Sequence, residues 1–248
     1  MRFIKSLGIG IAIVILLNNP IMAREDSDAY DFPIKPGTPE WKALTTHEQM
    51  REVLQVPEDI LKDMSTKALV QTCLNYPLYG DIWACNSLQE GFEGVTAGFN
   101  GLQELLKRKD AGVELVKRYK EMDIKAFSQR WTLLQKGKHT AEFRHIEILL
   151  AQDAILTNLT KDERVLLLAE SVQKFQSMLQ AGIYGIMNVE TNTLLIGRIM
   201  LKENYNTFTQ KVAGNKKLNR FLKKAVVLDV ESMNEIVSCA KQYINENR

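Results

Sequence analysis

Apolar residues recur at spacings of three and four along nearly the whole chain after residue 38. This period matches the 3.6-residue turn of an α-helix, whose buried side repeats at those intervals. The strict alternation that marks a half-buried strand is not found in the sequence. The pattern therefore predicts an all-α domain over residues 38–248, with roughly ten or more helices of about 8 to 20 residues. Two arrangements fit this pattern: a multi-helical irregular bundle, or a short α-α superhelical stack of antiparallel helix pairs.

Capping residues mark several of the predicted helix ends. Thr160 with Glu163 three residues later forms a capping box, so a helix is expected to begin there. Gly182 fits the position after its last turn, where a left-handed residue often ends a helix. Asn215 and Asp229 are favourable N-cap residues, because their side chains accept hydrogen bonds from the free amides of a first turn. They predict two further helix starts near the C-terminus.

Three segments lack such clear caps. Residues 124–135 are predicted to form a helix that Gly137 closes. The predicted buried side of this helix consists of Ile124, Phe127, Trp131 and Leu134. Residues 183–189 are expected to be an apolar loop, and residues 190–213 are expected to form one long helix.

Four glycines fall inside one helical pattern, namely Gly91, Gly94, Gly98 and Gly101. Each costs about 1 kcal/mol relative to alanine in a helix interior. We expect this cost to be offset by the close approach of a neighbouring element or by a kink. The pattern is expected to break near Asn100.

The N-terminus has the pattern of a secretory signal peptide over residues 1–23. A basic start precedes an apolar run over residues 7–17, which is too short to span a bilayer stably. Cleavage is expected near Ala23, which makes the protein exported, either periplasmic or extracellular; an uncleaved N-terminal anchor is the alternative. Residues 24–37 are polar and unpatterned and are predicted to form an extended lead-in.

Removal of the predicted signal peptide changes the net charge. Taking Arg2 and Lys5 from the 32 basic residues leaves 30, which equals the 30 acidic residues. The mature chain is then formally neutral, so its composition does not indicate nucleic acid as a partner. Over the full 248 residues, 45% are apolar and 25% are charged, which is typical of a globular domain.

The chain has three cysteines, Cys73, Cys85 and Cys239. This number is small and odd, so a disulfide framework is not expected. One Cys73–Cys85 bridge across a helical hairpin remains open. Buried free thiols are the favoured alternative, because free cysteine packs as a small apolar residue.

Some carboxylates and aromatic residues are candidates for glycan or peptide chemistry. Glu90 and Glu93 lie one helical turn apart and Asp81 is near in sequence, and paired carboxylates can divide into acid and base. The structural alternative is that Glu90 caps a helix and Glu93 is solvated. Tyr79 and Trp83 are candidates for lining a groove, although aromatic residues at helical spacing more often pack in a core.

His139, Glu142, His145 and Glu147 are the best candidates for metal or acid–base chemistry. They lack the i, i+4 histidine pair that a helical zinc site uses. The favoured interpretation is an exposed polar helix face, so no metal and no cofactor is predicted.

A basic amphipathic helix is predicted near the C-terminus, with cations at Lys216, Lys217, Arg220, Lys223 and Lys224. Such a helix can contact anionic lipid, a wall polymer or an acidic partner. A solvated surface helix is the more common alternative.

One region resembles a family of uncharacterised exported all-helical bacterial proteins. The residues that carry the resemblance are Met64-Ser65-Thr66, Leu69, Tyr76-Pro77-Leu78, Asp81-Ile82, Gly91-Phe92 and Phe99-Asn100-Gly101-Leu102-Gln103-Glu104-Leu105. The resemblance covers about a third of the mature chain and implies an exported helical domain. It supplies no catalytic residues.

Together these observations predict an exported binding or interaction module of the cell envelope. Its partner is expected to be another envelope protein or a glycan, and membrane-surface contact is a lesser possibility. The alternative function is a glycan- or peptide-directed hydrolase that uses carboxylates near Asp81, Glu90 and Glu93. The candidate binding patch comprises Tyr79, Asp81, Trp83, Glu93 and Asn100.

Overall fold

Helices make up almost all regular structure in the computed structural model, which describes residues 28–126 and 130–247, and no strand occurs in those ranges. The predicted all-α, multi-helical class is confirmed. The helices are α1 (Pro39–Ala43), α2 (His47–Val53), α3 (Glu58–Asp63), α4 (Thr66–Leu74), a 3₁₀ helix (Tyr79–Ala84), α5 (Leu88–Gly98), α6 (Asn100–Leu105), α7 (Ala111–Glu121), α8 (Leu133–Leu150), α9 (Asp153–Asn158), α10 (Lys161–Ala181), α11 (Ile186–Lys202), α12 (Asn206–Gly214), α13 (Lys216–Lys224) and α14 (Val230–Glu246). The predicted signal peptide and Phe127 lie outside the described residues. Within the described residues, no helix has both the length and the apolar character needed to span a membrane.

Helix α11 is the centre of the C-terminal half. It packs against α8, α10 and α14, and also contacts α12 and α13. Its residues from Thr191 to Ile196 are all buried. A helix that is buried on every side needs neighbours on every side, and the surrounding helices supply them.

The N-terminal half packs around α4, which contacts α6 and α7, while the 3₁₀ helix lies against α5. Tyr76 stacks on Phe99 with ring centroids 4.0 Å apart, and Phe32 from the lead-in contacts both rings. Contacts of α7 with α8 and of α5 with α13 join the two halves. Buried apolar residues form one continuous core through both.

Gly91 explains part of the glycine-rich pattern in α5. A Cβ atom at this position would collide with the backbone carbonyl of Ile82 in the 3₁₀ helix. Gly94 has open space at the same position, so nothing in the structure requires glycine there. The expected break occurs at Phe99, which ends α5 and precedes α6.

The predicted caps are confirmed. The Thr160 hydroxyl accepts from the amide of Glu163, whose carboxylate accepts in return from the Thr160 amide. Gly182 ends α10 in the left-handed region, with φ 68°. Asn215 and Asp229 cap α13 and α14.

The helix predicted over residues 124–135 is wrong. Thr132 and Gln135 form a capping box that starts α8 instead, so Gly137 lies inside this helix rather than after it. The side chain of Leu134 is 83% exposed, whereas Ile124 is buried. The apolar spacing in this segment belonged to two different elements, and the capping box decides where the second begins.

The single long helix predicted over residues 190–213 is also wrong. Helix α11 begins earlier, inside the predicted apolar loop, and ends before Asn204, which has a φ of 51°. Asparagine tolerates this left-handed conformation better than most residues. Glu203 fixes the break, because it pairs with Arg164 and accepts from the Tyr243 hydroxyl at 2.9 Å.

The side chain of Glu147 lies in the core and not on an exposed polar face, which corrects the interpretation from the sequence. Its carboxylate is completely buried and accepts from the Tyr119 hydroxyl at 2.8 Å, from Thr191 Oγ1 at 2.9 Å and from Asn192 Nδ2 at 2.9 Å. Burial raises its pKa to about 7 despite these three donors. His145 is also largely enclosed, and burial lowers its pKa to about 3.

Candidate functional site

An open cavity with a volume of about 630 Å³ lies where the 3₁₀ helix and the start of α5 meet the first turns of α11 and the end of α13. We call it the Trp83 groove. The residues of its lining that matter below are Trp83, Leu88, Ile186, Met187, Arg220 and Val227. Its volume is in the range of sites that hold small ligands or short peptide segments.

The Trp83 groove is unusual because large apolar side chains point into solvent there. Ile186 is 51% exposed, Met187 is 41% exposed and Val227 is 81% exposed. Single exposed apolar residues are common on protein surfaces, whereas several that converge in one concavity form a candidate interaction site. Their desolvation by a ligand would be favourable.

Two hydrogen bonds donated by backbone amides hold the sides of the groove together. The amide of Leu88 donates to the carbonyl of Ala225 at 3.3 Å, which joins the start of α5 to the end of α13. Ala225 itself has a φ of 50°, a left-handed conformation that costs a residue with a Cβ about 1 kcal/mol. The amide of Leu228 donates to Glu190 Oε1 at 3.2 Å and fixes the segment after α13 against α11.

Arg144 of α8 stands at one edge of the groove. Its guanidinium carbon lies 4.3 Å from the ring centroid of Trp83, and its Nη1 is 3.6 Å from the sulfur of Met187. Its Nε is buried without a hydrogen-bond partner, and no carboxylate of residues 28–126 or 130–247 pairs with it. Burial lowers the pKa of Arg144, because the charged guanidinium has lost part of its hydration.

Helix α13 supplies the cations on the other side. Its apolar residues Leu218, Phe221 and Leu222 are buried in the core, so only its basic side faces outward. Lys217 pairs with Asp229 at 2.6 Å, and Lys224 lies 3.8 Å from Glu90. Within the described part of the chain, Lys216, Arg220 and Lys223 form no ion pair.

Glu190 is the acidic residue that lines the groove. Burial raises its pKa, and the hydrogen bond from the backbone of Leu228 opposes that shift. Its carboxylate holds the segment after α13 against α11 through the Leu228 amide. Its negative charge would also repel a second anion placed next to it.

The structure does not bring the five residues of the predicted binding patch together. Trp83 lines the groove, whereas Tyr79 is buried and donates its hydroxyl to the His145 carbonyl at 3.0 Å. Asn100 serves the fold, since its amide group bonds both the amide of Val56 at 3.0 Å and its carbonyl at 2.7 Å. Asp81 and Glu93 lie outside the groove lining.

The carboxylates proposed for hydrolysis are also separated. Asp81 Oδ2 lies 2.6 Å from His47 Nε2, and this pair is about half exposed. Glu93 is exposed and accepts from Gln89 at 3.0 Å, while Glu90 lies near Lys224. No two of these three carboxylates line one described cavity, which leaves the hydrolase alternative without a paired acid and base.

Cys85 lines a second cavity of about 400 Å³ together with His47 and Asp81. A cysteine, a histidine and an aspartate are the residue types of a thiol-dependent active site. In the described chain, however, no hydrogen bond joins the Cys85 thiol to His47, so the contact that activates such a nucleophile is lacking.

The Cys73–Cys85 bridge left open by the sequence does not form. All three cysteines are free, and Cys85 is exposed rather than buried, whereas Cys73 and Cys239 are buried. Burial holds the pKa of the Cys73 thiol far above its usual range.

The histidines of α8 do not form a metal site with their acidic neighbours. His139 Nε2 lies 3.0 Å from the Tyr184 hydroxyl, and the His145 ring lies against the Tyr79 ring at a tilt, with ring centroids 4.1 Å apart. Across the described residues, no three side chains of histidine, cysteine, aspartate or glutamate converge as metal ligands would.

Comparison with known proteins returned no match to a family model, to a curated protein or to a solved structure.

Several residues of the Trp83 groove were not identified from the sequence. The sequence pattern predicts an apolar loop at Ile186 and Met187, and a run of apolar residues in a loop is itself a sign of exposed apolar surface. Arg144 and Val227 come from distant parts of the chain, and no local pattern connects them to Trp83.

Proposed function

We propose that this protein is a binding module and that the Trp83 groove holds an extended polypeptide segment of a partner. The observation that carries the proposal is the convergence of Ile186, Met187 and Val227, all substantially exposed, in one concave surface. Apolar anchors in a preformed groove are the usual core of a peptide-binding site.

A polypeptide is favoured over a glycan by the aromatic side chains. Glycans commonly stack on exposed aromatic faces, but Tyr79 is buried and the Trp83 ring is covered on one face by Arg144. The side chains that remain open in the groove are aliphatic residues and a methionine, which suit apolar side chains of a peptide.

A membrane-surface role has less support. An interfacial helix inserts its apolar side between lipids, and that side of α13 is already used by the core. Its lysines could contact anionic lipid only by charge.

Export is a further part of the proposal, and it rests on the sequence of residues 1–23 alone. We propose a periplasmic or extracellular location after cleavage near Ala23. Mass measurement of the protein secreted by a bacterial host tests this directly. A mature N-terminus near residue 24 is expected, and a full-length, membrane-retained chain would contradict it.

The groove is tested by selecting peptides from a random phage-displayed library on the purified full chain. Peptides with two or more large apolar side chains are expected. The affinity of the double variant Ile186→Ser with Met187→Ser for these peptides should fall about 5- to 100-fold, because the variant removes about 1 to 3 kcal/mol of apolar burial.

Leu179→Ser is the matched control. Leu179 is 56% exposed but does not line the Trp83 groove. This control should bind the selected peptides as tightly as the wild type does. The proposal is abandoned if the double variant retains them as well as the wild type does, or if no peptide is enriched.

A further inference from the structure

Two arginines lie at the Trp83 groove, Arg144 and Arg220, and neither forms an ion pair within the described residues. Arg144 has lost hydration, stacks on Trp83 and has a buried Nε that no acceptor satisfies. Leaving a charged, partly buried donor without an acceptor is costly. The buried Nε is out of reach of a ligand, but a carboxylate could form charge-assisted hydrogen bonds with the outward Nη groups of this partly dehydrated guanidinium.

Arg220 provides a second cation in the lining of the same groove. It projects from α13, where Lys216 and Lys223 are also without an ion pair in the described chain. The buried apolar side of α13 fixes the helix from which these flexible cationic side chains project. The groove lining thus combines exposed apolar side chains with Arg220, and Arg144 contacts two of its residues, Trp83 and Met187.

The geometry points to a polypeptide segment that carries acidic residues beside a large apolar residue as the occupant of the Trp83 groove. The apolar side chain would pack on Met187 and Val227. A carboxylate would pair with the outward N–H groups of Arg144, whose planar fork suits two-point contact with a carboxylate. This inference rests on the proposed binding function and specifies the chemistry of the partner.

Glu190 restricts where the acidic residues of the partner segment can bind. Its carboxylate is in the lining and is bonded to the backbone of Leu228, so an acidic side chain placed against it would be repelled. The acidic positions of a partner are thus expected beside Arg144 and Arg220 and not against Glu190.

The test compares peptides selected by the wild type with those selected by Arg144→Met. Methionine keeps a flexible apolar side chain against Trp83 and removes the charge. The wild type should enrich aspartate or glutamate next to leucine, phenylalanine or methionine. The affinity of a synthesised acidic peptide, measured by fluorescence anisotropy, should fall about 10- to 100-fold in Arg144→Met.

Two further variants keep the result interpretable. Arg144→Lys retains the charge without the planar fork and should give an intermediate loss. Arg118→Met on α7 removes an arginine that does not line the groove and should change nothing. Arg220→Met, at an exposed position, should reduce affinity for acidic peptides even if Arg144→Met proves unstable.

Three outcomes overturn the inference. Selection of apolar peptides without acidic residues, retained equally by Arg144→Met, would leave the binding function standing and refute the acidic partner. Failure to select any peptide above the background of the Ile186→Ser, Met187→Ser variant would refute both. If the protein bound phosphatidylglycerol vesicles in an Arg144-dependent way but bound no peptide, the arginines would be sites for anionic lipid and not for an acidic peptide.

Discussion

The buried carboxyl group of Glu147 should make the free energy of unfolding depend on pH in a defined direction. Its pKa is about 7 in the folded protein, against an ordinary value of 4.5. Between these two values the folded state binds more protons than the unfolded chain does. The stability that this gives is fully present below the unfolded pKa and is lost as the pH rises through the folded pKa. At about 1.4 kcal/mol per pKa unit, the change amounts to about 3 kcal/mol.

Glu147→Gln removes the ionisation and keeps nearly the same shape. Urea unfolding of both proteins from pH 4 to pH 8 gives the difference in their free energies of unfolding at each pH. The variant should gain about 3 kcal/mol relative to the wild type across that range. His145, whose pKa is lowered to about 3, contributes a slope of opposite sign to both proteins, and this slope cancels in the difference.

Thr191→Val is the companion variant. It removes the hydroxyl that donates to Glu147 Oε2 at 2.9 Å, a bond that lowers the pKa of this carboxyl group. The loss of stability at high pH should therefore become larger in this variant. A difference between wild type and Glu147→Gln that does not vary with pH, or that varies in the opposite direction, would refute the assignment of Glu147 as a buried titrating group.

Three other changes have outcomes that simple measurements can check. Gly91→Ala should lower the free energy of unfolding by about 1 to 3 kcal/mol, because the new methyl group meets backbone, whereas Gly94→Ala in the same helix should raise it by about 0.5 to 1 kcal/mol; thermal unfolding distinguishes the two. Iodoacetamide should alkylate Cys85 rapidly in the folded protein and leave Cys73 unmodified, as peptide mass spectrometry would show; equal labelling would contradict the described burial. Ala225→Gly should stabilise the protein by about 1 kcal/mol by relieving the left-handed backbone, and a destabilised variant would argue against that conformation.

The sequence predicts the fold well where local chemistry determines the structure. Thr160 and Asp229 act as caps in the structure because each needs only one local hydrogen bond, from the backbone amide three residues later to its side chain. The break at Asn204 was not predicted, since its cause is tertiary: Arg164 and Tyr243 hold Glu203 from two other helices.

The candidate site was predicted only in part, for a similar reason. Trp83 and the basic residues of α13 were identified as separate features, and the structure places Trp83 and Arg220 in one groove. Asn100 looked available for binding because its role, the bridging of the Val56 backbone, depends on a partner 44 residues away. Spacing along one helix does not reveal such pairings.

The anchoring of α13 also has a kinetic consequence. Because Leu218, Phe221 and Leu222 fix this helix, its positive charges always lie on the same side of the protein. Their electrostatic field decays over about 8 Å in solution at physiological ionic strength. For an anionic partner of the Trp83 groove, that field would increase the association rate constant, while apolar contacts would govern how slowly the complex dissociates. The speed of capture and the lifetime of the complex would then depend on different side chains of one surface.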